Sequence, residues 1–303
     1  MFPTSLRGRA FVAYVALLTL LFCRPLARLA LYAAHSDLHS HILLVPLVSA
    51  YLLLTNRRVR TAVPCRWVPG AVTLGVIGLS AMAAWWVNRG SISVNDGLTL
   101  TTLAFVSLVM AGALSFRGGQ WMHTAAFPMA FLLFMVPLPE AAVDWLERAS
   151  ALASAEAAAL FFAAAGATLV RHGTVFELPG IVLEVAKACS GIRSSWVLSI
   201  TSVLASYLFL KSPWRRLVLV AFVIPLGILR NGFRIMVIGL LCVHVGPHMI
   251  DSVIHRRGGP LFFTLSLVPL FVLLWWLRRG ERLTESPGLK TRGSIEAAGL
   301  HHE

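Results

Sequence analysis

Apolar residues in this chain come in long unbroken runs, and short polar or basic clusters separate them. A run of about 18 or more apolar residues is long enough to cross a bilayer as a helix. The first, about Ala10 to Ala34, follows Arg7 and Arg9 and is interrupted by Arg24 and Arg28. The second, about Ser40 to Leu54, ends at Asn56-Arg57-Arg58-Val59-Arg60. A third covers about Pro69 to Val87. After the polar loop Asn88 to Asp96, a fourth covers Gly97 to Leu114. Arg117-Gly118-Gly119 turns the chain into a fifth, Ala125 to Val136, closed by Pro137-Leu138-Pro139-Glu140. The sixth, Ile192 to Leu210, stops at Lys211-Ser212-Pro213-Trp214-Arg215-Arg216. The seventh rises from Leu217 to Arg230-Asn231-Gly232-Phe233-Arg234, and a further apolar piece, Ile235 to Val245, follows it. The eighth, about Pro260 to Leu277, ends at Arg278-Arg279. The pattern predicts an all-α polytopic membrane protein with about eight transmembrane helices.

Two stretches break this pattern. Ala141 to Val170 is rich in alanine but carries Asp144, Glu147, Arg148 and Glu156. Its amphipathic first half predicts an interfacial or packed helix rather than a certain span, and the topology below holds only if it does not cross. Thr174 to Glu177 and Ile181 to Val185 flank Pro179-Gly180, which predicts a small extracytoplasmic β-hairpin just before Cys189. Beyond Gly280 the chain turns polar. Residues 1–279 are expected to form one transmembrane domain, and 280–303 a cytoplasmic, disordered tail.

Composition agrees with the membrane reading. Of 303 residues, 57% are hydrophobic and 13% charged, against about a quarter charged in soluble domains. The net charge of +13 points to cytoplasmic loops held against anionic lipid, and no nucleic-acid partner is read from it. Putting Arg57, Arg58, Arg60 and Arg66, then Lys211, Arg215 and Arg216, then Arg278, Arg279 and Arg282 in the cytoplasm suits eight spans with both termini inside. Cys189, Arg230 to Arg234 and His255 then share the extracytoplasmic side. The N-terminus lacks a small-residue cleavage site after a short apolar core, so the first run reads as a retained span. Cys23, Cys65, Cys189 and Cys242 show neither CxxC nor zinc-like spacing, so no disulfide framework and no metal knuckle is read.

Candidate chemistry gathers around Leu183-Glu184-Val185-Ala186-Lys187-Ala188-Cys189-Ser190-Gly191-Ile192-Arg193-Ser194. There a polar, near-extended segment gives way to an apolar helix. Helix-start amides lack internal partners and favour an anion, so a cysteine at that point loses its proton more readily, and Arg193 adds a positive charge. The bland alternative is a small residue packed at a helix start. His255 would serve as general base and acid, and Arg234 as a fixed donor, a costly charge in an apolar setting unless it is used. Thiolate, imidazole and guanidinium together meet the needs of acyl transfer. Arg230 and Arg234 also suit snorkelling to headgroups, and His255 an ordinary loop. Glu177 and Glu184 are possible orienting partners for Arg193 or His255. His35, Asp37, His39 and His41 carry ligand types but read as loop residues, with one histidine packing near the site. Cys242 to His248 is assigned no metal, and Ser194 and Ser195 lack the activation that Cys189 has. No cofactor is called for.

Five segments, in order, resemble the exosortase/archaeosortase family of multi-pass cysteine transpeptidases. They are Ser40-His41-Ile42-Leu43-Leu44-Val45-Pro46, Phe131 to Pro139, Glu184 to Ser194, Pro225 through Asn231-Gly232-Phe233-Arg234, and His255 with Gly258. The resemblance runs from about Ser40 to Leu277. It implies catalytic roles for Cys189, Arg234 and His255, with Arg193, Ser190, Asn231, Arg230, His41 and Glu184 supporting or binding substrate. It further implies cleavage of a PEP-CTERM-like C-terminal sorting signal on exported proteins, at the outer face of a bacterial inner membrane. Arg256-Arg257 is more basic than the family pattern, and the soluble domain that some members append is missing. The sequence leaves two other readings. One is a transporter with Arg24, Arg230 and Arg234 lining an anion path, which fits poorly with polar residues gathered at one surface and no repeat. The other is a non-catalytic factor in exopolysaccharide export.

Overall fold

The computed structural model describes residues 6–36, 38–56, 67–185, 191–246, 248 and 259–285. The chain divides into two compact units, residues 1–144 and 145–303.

In the first unit, α1 (Leu6–Leu21) and α2 (Cys23–His35) meet at a 72° bend. A 3-10 turn, Ser40–Leu43, leads into α3 (Val45–Thr55). Next come α4 (Val68–Asn88) and α5 (Val94–Phe116). In α4's most apolar stretch 11% is buried, against 72% in α5, so α5 is the axis of this unit and α4 packs on it from outside. Small residues set their spacing: a Cβ at Gly78 would lie 2.9 Å from Leu108 Cγ, and one at Gly112 would overlap the Tyr14 ring. The Tyr14 hydroxyl donates to the Leu108 carbonyl at 3.0 Å, so the polar tip of a ring wedged between α1 and α5 is not left bare. Short helices follow, α6 (Gly119–Thr124) and α7 (Ala126–Phe131), then a 3-10 turn Leu132–Met135.

Helix α8 (Glu140–Ala164) starts in the first unit and runs into the second. There a three-stranded antiparallel sheet forms from β1 (Val170–His172), β2 (Val175–Leu178) and β3 (Ile181–Glu184), in the order β1-β2-β3. The β2–β3 hairpin pairs Phe176 with Leu183 and Leu178 with Ile181. Gly180 makes its turn at φ 81°, a left-handed conformation that suits glycine. After the sheet come α9 (Ile192–Phe209), α10 (Pro213–His244) and α11 (Gly259–Glu285).

Helix α10 organises this unit. One face packs on α8 and the sheet through Ile235, Phe162, Phe176 and Leu183. Another packs on α9 and α11 through Leu198, Leu219, Val223 and Leu270. Glycines let it come close: a Cβ at Gly232 would lie 2.6 Å from Ala157 Cβ, and one at Gly239 2.6 Å from Phe162. At one end, the Glu281 carboxylate of α11 accepts from the Ser212 and Lys211 amides at 2.7 and 3.0 Å, capping the open first turn of α10.

The helical class and the hairpin match the reading of the sequence, with β1 as an added strand. The count of eight spans is not confirmed. Among the described residues, five helices (α4, α5, α9, α10 and α11) are long and apolar enough to cross a membrane, or seven if each bent pair counts as one span. The second apolar run yields only the 11-residue α3, which rises about 16 Å against a hydrocarbon core of about 30 Å. The fifth run breaks into short helices, and α7 with its 3-10 turn qualifies only when joined to α8 across a 90° bend. The seventh run and the apolar piece after it form one helix of 32 residues that passes through Arg230 and Arg234 without interruption.

Candidate active site

The β-hairpin and α10 enclose a small open cleft lined by Leu183, Glu184 and Val185 on one side and Asn231, Arg234, Ile235 and Ile238 on the other. Its free volume is about 30 Å³, room for a water molecule or two. The hairpin wall is fixed by main-chain pairing: Glu184 pairs with Val175, and the Val185 amide donates to the Thr174 carbonyl at 3.0 Å. Burial of Leu183 and Val185 beside Ile235 anchors the wall from beneath. Glu184 is exposed and Arg234 half-buried, so a carboxylate and a guanidinium share a recess whose other walls are largely apolar.

The start of α9 lies against the same part of α10. Gly191, its N-cap, sits at φ 72°, and a Cβ there would come within 2.9 Å of Asn231 Cγ and Oδ1. Both the backbone angle and the close approach call for glycine. The Gly191 carbonyl accepts from the Ser195 amide, the Ser194 hydroxyl and Arg230 Nη2, each at 3.1 Å. The same Nη2 reaches Ser195 Oγ at 3.1 Å. Arg230 is only 8% exposed, and its Nη1 has no partner among the described residues.

Of the residues singled out from sequence, the structure brings Glu184, Asn231 and Arg234 to one cleft, with Arg230 and Gly191 adjoining. Arg193 is exposed on the first turn of α9. Cys189, Ser190 and His255 lie outside the described residues. His41 belongs to the first unit, where its Nδ1 lies 3.1 Å from the Leu38 carbonyl. Nearby, His39 is buried against Tyr32 and bonded through Nδ1 to Ser36 Oγ at 3.0 Å, while His35 Nδ1 meets the Leu31 carbonyl at 2.8 Å. These rings are each engaged locally, and among the described residues no three metal-ligating side chains gather. Burial, and secondarily His41, hold the His39 pKa down at about 4. The parts of the site that sequence reasoning passed over are Ser195 as a partner of Arg230 and Gly227 as the gap that admits it. A Cβ at Gly227 would lie 2.6 Å from Ser195 Oγ. The available signal was a glycine one helical turn before Asn231.

The family model for transmembrane exosortases (Exosortase_EpsH) matches residues 32–272, most of the chain, including every segment that forms the cleft. The chain belongs to the transmembrane exosortase family. No match was found among curated proteins or solved structures. Membership of this family, with five to seven apolar helices long enough to cross a bilayer, makes the chain a multi-pass membrane protein. The exosortase match also covers the α9 start and all of α10.

Proposed function

We propose that this exosortase-family chain is a membrane-embedded cysteine peptidase and transpeptidase. It cleaves a C-terminal sorting signal of exported proteins at the extracytoplasmic face of a bacterial inner membrane. One observation carries the reading: Arg234 and Asn231 line a cleft whose opposite wall, Glu184 and Val185, is the strand that leads directly to Cys189. From the other side, Gly191 rests on Asn231. Two residues of chain span at most about 7 Å, which is the whole tether between Gly191 and Cys189.

The histidine is held on a longer leash. Phe262 of α11 meets Phe233, the neighbour of Arg234, with ring centroids 6.4 Å apart. His255 lies four residues before Gly259, the first residue of α11, so its tether is at most about 14 Å. In the proposed reaction the Cys189 thiolate attacks the carbonyl carbon of the scissile peptide. The Arg234 guanidinium and the α9 amides stabilise the oxyanion. As the carbon–nitrogen bond breaks, the His255 imidazolium gives its proton to the leaving amine, and a thioester remains on Cys189. Neutral His255 then accepts a proton from the incoming water or amine that releases the product.

The test is to co-express the chain with an epitope-tagged exported protein ending in a short motif, an apolar helix and a basic tail. Cys189→Ala is expected to abolish shortening of that protein while membrane levels of the enzyme stay unchanged. Undiminished shortening by Cys189→Ala would overturn the reading.

A further inference from the structure

Arg230 is a buried cation with no acidic partner among the described residues. It is 92% removed from solvent by its 8% exposure, and its like-charged neighbour Arg234 sits one turn further along α10. Burying a guanidinium beside neutral dipoles is costly, and headgroup snorkelling requires exposure that this side chain does not have. What it touches is specific: the Gly191 carbonyl and the Ser195 hydroxyl, each at 3.1 Å. These two groups are four residues apart, one turn of α9. The guanidinium therefore spans the helix start from outside and fixes its rotation relative to α10.

The surrounding residues are shaped to permit that contact. Gly227 leaves room for Ser195 Oγ, and Gly191 leaves room for Asn231. Ser194 and Ser195 add a hydroxyl and an amide to the same Gly191 carbonyl. Two side chains, Ser194 and Arg230, and the Ser195 amide thus converge on one carbonyl oxygen, two residues beyond Cys189 in the chain. We infer that Arg230, with Ser195, is a positioning residue. It clamps the Gly191 turn and thereby sets where the Cys189 sulfur stands relative to the α9 amides and Arg234. This rests on the proposed role of Cys189, and the experiment separates the two.

The full chain is used in membranes, with Cys23, Cys65 and Cys242 replaced by alanine so that Cys189 is the one thiol. Two rates are read: substrate shortening per folded enzyme, and alkylation of Cys189 by iodoacetamide as a function of pH. Among the described residues the charged groups about the turn are Glu184 from β3, Arg193 from α9, and Arg230 and Arg234 from α10; Lys187 and His255, which lie outside them, are likewise retained, so all but Arg230 stay constant. Arg230→Met and Arg230→Lys are both expected to slow shortening by about 10²-fold and to move the alkylation midpoint to higher pH, because lysine keeps the charge but its shorter stem does not bring a nitrogen to the place of Nη2. Ser195→Ala, which leaves the arginine and one acceptor in place, is expected to shift both readouts in the same direction by a smaller amount, about 3- to 10-fold in rate. It carries the test should the Arg230 variants fail to insert. Restoration of both readouts by Arg230→Lys would make charge alone sufficient and overturn the clamp. So would an unchanged alkylation profile in all variants. If instead Cys189→Ala still shortens substrate while the Arg230 variants shift the alkylation profile, the clamp stands and the catalytic role of Cys189 falls.

Discussion

Helices α5 and α10 are each the axis of their unit, and both bury polar residues, but they use them differently. In α5 the polar groups face backbone. Thr99 Oγ1 donates to the Pro137 carbonyl at 3.0 Å and Asn95 Nδ2 to the Leu138 carbonyl at 2.7 Å. Asp96 accepts from the Glu140 amide at 2.9 Å. Together they hold the Pro137-Leu138-Pro139 turn, where the proline rings leave carbonyls that no helix can satisfy. In α10 the buried polar residues are cationic or amide-bearing, they hold the start of another helix, and Asn231 also lines a cleft. Polar burial in α5 closes on a turn, whereas in α10 it adjoins a recess, the place of the proposed chemistry.

That contrast can be broken most sharply at Arg234. Arg234→Ala should cut substrate shortening by on the order of 10²–10³-fold, the scale for loss of one oxyanion donor, with the thermal midpoint in detergent little changed. A large fall in the midpoint with activity per folded enzyme preserved would move Arg234 into the same class as the α5 residues. Asn95→Ala should do the reverse. Leaving the Leu138 carbonyl without its donor is expected to lower stability by about 1–3 kcal/mol, read as denaturation in detergent, while shortening per folded enzyme stays level.

The smallest effect is expected at His39. Its folded pKa is about 4, whereas the unfolded ring titrates near 6.5. Between those values the unfolded chain binds the extra proton, so stability falls as pH falls through this window and is flat above it. From pH 7 to pH 6 the loss should stay under about 1 kcal/mol. His39→Asn, which keeps a polar atom near Ser36, should flatten the slope. A slope that survives the substitution would assign the effect elsewhere.

Much of this was readable before any coordinates. The helix start at Ile192 follows from Gly191 and the apolar run after it, and the hairpin from Pro179-Gly180 between β-branched segments. What escaped has physical causes. Arg230 and Arg234 broke the apolar pattern and looked like a span end, yet the helix continues through both, with Arg230 buried against the start of α9 and Arg234 lining the cleft. β1 is three residues long, too short for alternation to show. The clamp on Gly191 joins residues about 39 positions apart, and no local pattern announces such a pairing. The spacing of Gly227 and Asn231 hints at close helix approach but not at what approaches.

The length of α10 has one more consequence. Thirty-two residues rise about 48 Å, well beyond a hydrocarbon core of about 30 Å. In a bilayer, such a surplus is taken up by tilt or by turns that stand clear of the hydrocarbon. The final turns, from Ile235 to Gly239 and beyond, are the ones braced by Phe162 and Leu178. The helix therefore acts as a mast, and the sheet rides on its C-terminal end. Asn231, Arg234, Ile235 and Ile238 all stand on that mast, so any lean of it would swing one whole wall of the recess at once.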